Sequence, residues 1–340
     1  MWRDHYWTLL SANEDKTRVW RHGLKTSGRE EASLPGLPRL ADENHVSPIS
    51  IFAPAKLNLF LAVTGRRTDG FHDLVSVVAQ LKFGDTLHVR PAERFSLECS
   101  DPDVPTDETN LVLKAAHAFA CAADWTGGAA FVLEKRIPMG AGLGGGSSNA
   151  VAALRGLNQM VDAPFKLSTL RLTALAKELG SDCPLFLHNG PVLMRGRGDR
   201  IEPVATDAAT RLRGRRVLVF KPGFGISTPW SYAQLAAGAP SSYLPADEAE
   251  ARVAAWLSAP AAPAEELLFN NMEPPAFAKY IALPVLCAAL EQRFGLKSRM
   301  SGSGSACFTL LAESVDAAPI VTAIHEAWGQ SAFVVESHVT

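Results

Sequence analysis

The sequence is short of three things, and each shortage removes a class of function. Basic charge is not in surplus: 33 Lys and Arg stand against 35 Asp and Glu, a formal net charge of −2, so nothing in the total would hold a long nucleic-acid backbone. Cysteines are few for a 340-residue chain, five at positions 99, 121, 183, 287 and 307, odd in number and with no CxxC pair or metal-ligand spacing. A disulfide framework and a zinc site are thereby disfavoured, and a reduced, cytoplasmic setting is expected. Long apolar runs are lacking too: polar or charged residues interrupt every hydrophobic stretch before it approaches the roughly 18 residues that a membrane span needs. The first 48 residues mix Arg and Lys with Asp4, Glu14, Asp15, Glu30, Glu31, Asp42 and Glu43 and contain no apolar core followed by a small-residue cleavage site, which argues against a secretory signal or an acid-poor transit peptide.

What is present is core-forming material, 47% hydrophobic residues against 20% charged, more than one domain of ordinary size uses. Residues 1–48 show no sustained periodicity and carry a Pro-dotted segment from Leu34 to Pro38, so they read as a poorly ordered extension to which we attach no function. Structure is expected from Ile49. Alternating Leu57, Leu59, Leu61 and Val63, a Thr68-Asp69-Gly70 turn, and strands over 74–83 and 86–89 open a β-sheet. Helical spacing covers 110–122, a strand 129–134, and a helix 147–160 leaves a glycine run; Ser168 caps a further helix that Gly180 ends. A polar, Arg-rich stretch over 206–216 marks a boundary between a domain at 49–210 and one at 211–340. The second half has a strand at 217–220, a helix starting at Thr228-Pro229, a Pro/Ala-rich loop near 259–264, helices at 285–294 and 317–328, strands flanking 302–304 and a closing strand at 332–336. Strands and helices mix without a βα repeat, which favours an α+β fold over a doubly wound sheet.

The segment Pro138-Met139-Gly140-Ala141-Gly142-Leu143-Gly144-Gly145-Gly146-Ser147-Ser148 packs five glycines into seven residues between a strand and a helix. Backbone without Cβ atoms folds tightly and turns several N–H groups toward one anion, and the helix adds the positive end of its dipole. Phosphate is the natural guest, with Ser147 and Ser148 placed to cap the helix or to offer hydroxyls to phosphate or its Mg²⁺. A flexible linker would have the same composition but would not be wedged between a strand and an apolar helix. The loop lacks the Gly-Lys-Ser/Thr ending of a P-loop and the dinucleotide fingerprint. A second run, Ser301-Gly302-Ser303-Gly304-Ser305, fits a turn if taken alone and a second backbone clamp if paired with the first.

Four polar residues stand in suggestive contexts, and each also has an ordinary explanation. Lys56 and Asn58 share one face of a strand, which would also suit a solvated face. Asp182, in Gly180-Ser-Asp-Cys-Pro184, follows a helix end and would also suit the cap of a helix starting at Pro184. His72 follows Thr68-Asp-Gly-Phe71 and would also suit a loop.

In chain order, Ala53-Pro-Ala-Lys-Leu-Asn-Leu-Phe-Leu61, Gly70-Phe-His72, 138–148, Gly180-Ser-Asp-Cys-Pro184 and Ser301-Gly-Ser-Gly304 resemble the GHMP kinase superfamily over residues 50–338. That resemblance implies a two-domain α+β fold, a nucleotide-binding N-terminal domain with a smaller C-terminal one, and an active site in the cleft between them. It implies ATP with Mg²⁺ bound at 138–148, Lys56 and Asp182 as the catalytic pair, and Gly302, Ser303 and Gly304 as a second loop. It also implies a small-molecule alcohol carrying a cytidine diphosphate group as acceptor in isoprenoid-precursor supply, contacted by Asn58, Phe71, His72 and Thr228, with Tyr232 on the opposite face of the base. Phe71 stands where the family commonly has Tyr, which keeps stacking and loses a hydroxyl. Homoserine or a mevalonate-type alcohol is the alternative acceptor, and a nucleotide-binding protein without catalysis is the reading from another class. No nucleic-acid or membrane partner is expected, and the chain is expected to act as a monomer or homodimer.

Overall fold

A computed structural model describes residues 48–340, and the expected disordered extension lies outside the described residues except for Pro48. The described chain falls within one compact unit. Its first half contains β1 (Ile49–Arg66), β2 (His72–Ala92), β3 (Ser96–Cys99), α1 (Leu111–Ala123), β4 (Gly128–Glu134), α2 (Gly145–Met160), α3 (Thr169–Leu179), β5 (Val192–Gly196), β6 (Arg200–Pro203) and α4 (Thr206–Thr210). The second half contains β7 (Arg216–Lys221), α5 (Thr228–Ala237), α6 (Ala246–Ser258), β8 (Phe269–Asn270), α7 (Glu273–Lys279), α8 (Ala282–Phe294), β9 (Ser298–Met300), β10 (Cys307–Leu311), α9 (Ala318–Trp328) and β11 (Phe333–His338).

Two sheets organise the chain. The larger has the order β3-β4-β2-β1-β8, with β5 on β2 and β6 on β5; the smaller has the order β11-β7-β10-β9. Strand β8 comes from the second half yet pairs in parallel with β1 of the first. Strands β7 and β10 have no solvent face. Val217, Val219, Phe308 and Leu310 pack into the core shared with β1, β2 and α6, while Leu218, Phe220, Cys307 and Leu311 pack under α8 and α9. That is why Val-Leu-Val-Phe reads as a continuous apolar run rather than an alternation. Helices α1, α2 and α3 cover the remaining face of the larger sheet.

The helix ends follow the sequence in most places. Asn110 Oδ1 accepts from Val112 N and caps α1, Ser168 caps α3 through Arg171 N, Gly180 ends α3, and Ser227 caps α5. The expected helix at 147–160 is corrected: α2 starts at Gly145 with Gly144 at its cap position, so Ser147 and Ser148 lie inside its first turn and cap nothing. The polar stretch at 206–216 holds α4, whose Ala208 and Ala209 are buried with Leu212. Helix α6 escaped notice because its inward stripe is only Ala249, Val253 and Trp256.

Strand β2 crosses the expected break near residue 84 without interruption, and Asp85 sits within it, fully buried. Its carboxylate accepts from Lys135 Nζ at 2.8 Å, from the backbone N–H groups of Arg136 and Ile137 at 2.7 Å each, and from Asn149 Nδ2 of α2 at 2.9 Å. Four donors surround one carboxylate, which is what a buried charge requires. Lys135 Nζ also donates to the Ile137 carbonyl. One residue thus anchors both ends of the segment that becomes the glycine loop. We predict that Asp85→Ala, which leaves Lys135 buried and unpaired, lowers unfolding stability by about 3–5 kcal/mol, measurable by urea denaturation.

A second, half-buried carboxylate lies under the other glycine run. Glu273 accepts from Met300 N at 2.8 Å, and burial pushes its pKa up to about 7, with the Met300 hydrogen bond and Arg299 pulling the other way. The folded pKa exceeds the ordinary value of 4.5, so the folded state holds the proton that the unfolded state releases. The stability Glu273 gains from staying protonated is complete below about pH 4.5 and is lost as pH rises toward 7. We predict that Glu273→Gln, whose carbonyl still accepts from Met300, stabilises the fold at pH 8 relative to the wild type by more than it does at pH 4, read from paired thermal melts.

Candidate active site

The two glycine runs meet. Ser305 N donates to Gly140 O at 3.3 Å, Ala306 N to Ala141 O at 3.1 Å, and Ser301 Oγ to Gly142 O at 3.0 Å. Lys56 N donates to Leu143 O, and Ser148 N to Gly144 O, both at 2.9 Å. Five consecutive carbonyls are therefore turned into the protein. Among the described residues, none of the N–H groups from Met139 to Ser147 donates to a protein acceptor. Carbonyls in and N–H groups out is the polarity an anion cradle needs, and α2, 16 residues long, aims its N-terminus at the same place. Gly142, at φ +74°, lies so close to Ser301 that a Cβ would collide with its carbonyl oxygen. At Gly144, φ +73°, a Cβ would come within 2.9 Å of Lys56 Cγ and 3.0 Å of the Phe186 ring, so both positions require glycine. A nucleotide's phosphates fit this loop on that backbone geometry.

Strand β1 carries Lys56 and Asn58 to the foot of the loop. Neither is on a solvated face: Lys56 is 4% and Asn58 7% exposed. Lys56 Nζ donates to Asn58 Oδ1 at 2.5 Å and lies 3.6 Å from Asp182 Oδ2. Asn58 Nδ2 donates to Ser76 Oγ at 2.9 Å, whose hydroxyl donates to Phe60 O. Both ends of the Asn58 amide are thus committed, one to orienting the ammonium. Asp182 opens a short helical turn, Cys183–Leu187, but its side chain makes no capping hydrogen bond there; 41% of the side chain is exposed to the cleft. Behind it, burial pushes the Cys183 thiol up to about 11 despite a hydrogen bond with Ser147, so the thiol stays protonated and takes no part as a nucleophile.

These groups line a cleft of about 1180 Å³ together with the glycine loop, Phe71, His72, Thr228, Tyr232, Gly302 and Ser303. Ser147 reaches it; Ser148 is 1% exposed and does not. Thr228 Oγ1 lies 2.8 Å from Ser303 Oγ, which joins α5 to the second glycine run. Phe71 is half exposed, with the Arg197 guanidinium 5.2 Å from its ring centroid. Tyr232 is half-buried and stacks directly on His72, ring centroids 4.8 Å apart, so no base fits between those two rings. Burial, aided by Arg66, lowers the His72 pKa, and its Nε2 is buried without a protein partner. The imidazole is neutral, and its buried Nε2 is closed to the cleft. Burial and the Asp182 charge push the Tyr232 hydroxyl up to about 12.

Several supporting residues escaped the sequence reading. Asn270 Nδ2 donates to Met300 O at 2.7 Å and Gly302 O at 2.9 Å and fixes the second glycine run. Asp85, Lys135 and Asn149 fix the first. Lys135 borders the cleft but is spent on Asp85 and Ile137. Their common sequence signal is a polar residue in an otherwise apolar strand or helix, which is weak until partners are known.

Family models agree with this picture: GHMP kinases N terminal domain matches residues 110–190 and GHMP kinases C terminal matches 257–330. A 4-diphosphocytidyl-2-C-methyl-D-erythritol kinase of Salinibacter ruber is 38% identical over 272 residues, covering 79% of this chain and 92% of the relative. One from Deinococcus radiodurans is 38% identical over 274 residues, covering 80% and 87%. A crystal structure of 4-(cytidine 5'-diphospho)-2C-methyl-D-erythritol kinase superposes with a TM-score of 0.67 at 36% identity, covering 85% of this chain and 99% of that one. A homoserine kinase from Cytophaga hutchinsonii shares the fold, with a TM-score of 0.65, at 18% identity. With more than a third of the aligned residues identical along most of the length of such relatives, the chain belongs to the GHMP kinases, in the 4-diphosphocytidyl-2-C-methyl-D-erythritol kinase family.

Proposed function

We propose that the protein transfers the γ-phosphoryl group of ATP to the 2-hydroxyl of 4-diphosphocytidyl-2-C-methyl-D-erythritol, giving the 2-phosphate and ADP. The observation that carries this is the Lys56–Asp182 pair, 3.6 Å apart, at the foot of a loop whose free N–H groups face the same cleft. Phosphoryl transfer asks for positioning and charge neutralisation more than for covalent help. Lys56, held by Asn58, orients the Asp182 carboxylate and offsets negative charge on the transferring group. Asp182, open to the cleft, accepts the proton of the attacking hydroxyl. The glycine loop's N–H groups and the N-terminus of α2 take the nucleotide phosphates. Mg²⁺ bound with ATP would supply further neutralisation, and the Asp182 carboxylate and the Ser147 hydroxyl, both lining the cleft, would be oxygen donors to hold it.

The acceptor's cytidine diphosphate is read at the other end of the cleft. Phe71 offers an exposed ring for the base, His72 an imidazole in the cleft wall, and Thr228 a hydroxyl beside the second glycine run. Tyr232 supports the base indirectly, as the ring on which His72 rests. Homoserine and mevalonate give Phe71 and His72 nothing to bind.

Three measurements test this. In a coupled ADP-release assay, the cytidylyl alcohol should be turned over in strong preference to homoserine and mevalonate, and Asp182→Asn should lower kcat by about 10²–10⁴-fold with ATP affinity nearly unchanged. Preferred turnover of homoserine or mevalonate would sink the substrate assignment. Phe71→Ala should raise the KM for the cytidylyl alcohol about 10- to 100-fold, the worth of one base stack, and leave the KM for ATP alone.

A further inference from the structure

Asp182 stands on a short segment, and the question is what fixes it relative to Lys56. The 3.6 Å between ammonium and carboxylate is too long to be a tight hydrogen bond, so the pair does not hold itself together. Lys56 is secured by its strand and by Leu143 O. Asp182 makes no capping bond in its own turn, and more than a third of its side chain is open to the cleft.

Gln80 supplies the missing link. It lies on β2 directly opposite Lys56 on β1, and paired residues of antiparallel strands project from the same face. Its carboxamide nitrogen donates to Leu185 O at 3.0 Å and to His188 O at 2.9 Å. These carbonyls belong to the turn that Asp182 opens and to the residue that closes it. A primary amide has two N–H groups, and here both are used on one target. Gln80 is 7% exposed, so water does not replace it cheaply. We infer that Gln80 is a positioning residue for the phosphoryl transfer: its amide clamps the Asp182 turn to the strand pair that carries Lys56 and so sets the ammonium–carboxylate geometry. This inference rests on the role given to Asp182 above. A misplacement of about 1 Å in such a site costs about a hundredfold in rate, while the substrates' own contacts, to the glycine loop, Phe71 and His72, do not involve Gln80.

The test uses the full chain with Gln80→Met, of similar length but without a donor, and Gln80→Glu, isosteric but unable to donate when ionised. Both should lower kcat about 10- to 100-fold while the KM values for ATP and the cytidylyl alcohol stay within about threefold, a split that general loosening of the fold would not give. For Gln80→Glu, activity relative to wild type should recover as pH falls and the carboxyl regains a proton; for Gln80→Met it should not. In an Asp182→Asn background, Gln80→Met should cause no further loss, because it acts through the carboxylate that is already gone. An unchanged kcat, an equal loss with and without Asp182, or a parallel rise in both KM values would overturn the inference. Full activity of Asp182→Asn alone would instead overturn the underlying reading of Asp182. Should Gln80→Met fail to fold, the pH recovery of Gln80→Glu decides: recovery supports the clamp, and a pH-independent ratio refutes it.

Discussion

The interlock of two glycine runs is the constraint on which the site depends. A phosphate cradle needs N–H groups that are free and aimed, yet a backbone with free N–H groups is costly to order unless its carbonyls are held. Here the carbonyls of residues 140–144 are held one after another by Ser305, Ala306, Ser301, Lys56 and Ser148. The first three partners come from the second half of the chain and the fourth from β1. The loop cannot reach this conformation until the second glycine run has docked, and the collision a Cβ at Gly142 would make with Ser301 shows how close that docking is. The conformation of the loop therefore rests on residues from both halves of the chain.

Charge is used sparingly and in separate places. Asp85 and Lys135 are a buried pair whose role ends at the shape of the loop. Lys56 and Asp182 are a pair left half open, with one partner buried and the other facing the cleft. The asymmetry matches the chemistry: an ammonium that only neutralises charge can be fixed early, whereas a carboxylate that must meet a hydroxyl has to be reached. Asn58 serves the first requirement by taking Lys56 on one side and Ser76 on the other.

Much of this was legible in the sequence where a single residue type dictates geometry. The glycines at 142 and 144, the cap at Ser168, and the apolar runs of β7 and β10 each announced their structure. The order of the motifs along the chain identified the family before any distance was known. What stayed hidden depends on partners distant in sequence. Asp85 fell in the gap between the expected strands at 74–83 and 86–89, and only its bonds to 135–149 make it a hub. Gln80 was one polar letter in an apolar strand. Asn58 matched a substrate contact by motif, but its amide is occupied inside the protein. The start of α2 was misplaced because serines are better caps than glycines in general, whereas this helix begins on a glycine so that its first N–H groups stay unclaimed.

The aromatic end of the cleft shows how a departure from the family pattern is absorbed. Phe71 replaces a common Tyr and gives up a hydroxyl at the exposed ring, where Arg197 packs against it. The phenol at this end of the cleft belongs instead to Tyr232, on the far side of His72 and close enough to Asp182 to feel its charge. Burial keeps that hydroxyl protonated and keeps His72 neutral, so the two rings present donors and acceptors without adding charge beside the reacting carboxylate. On the proposed reading, base recognition and proton transfer share one cleft, with the uncharged rings of His72 and Tyr232 between them.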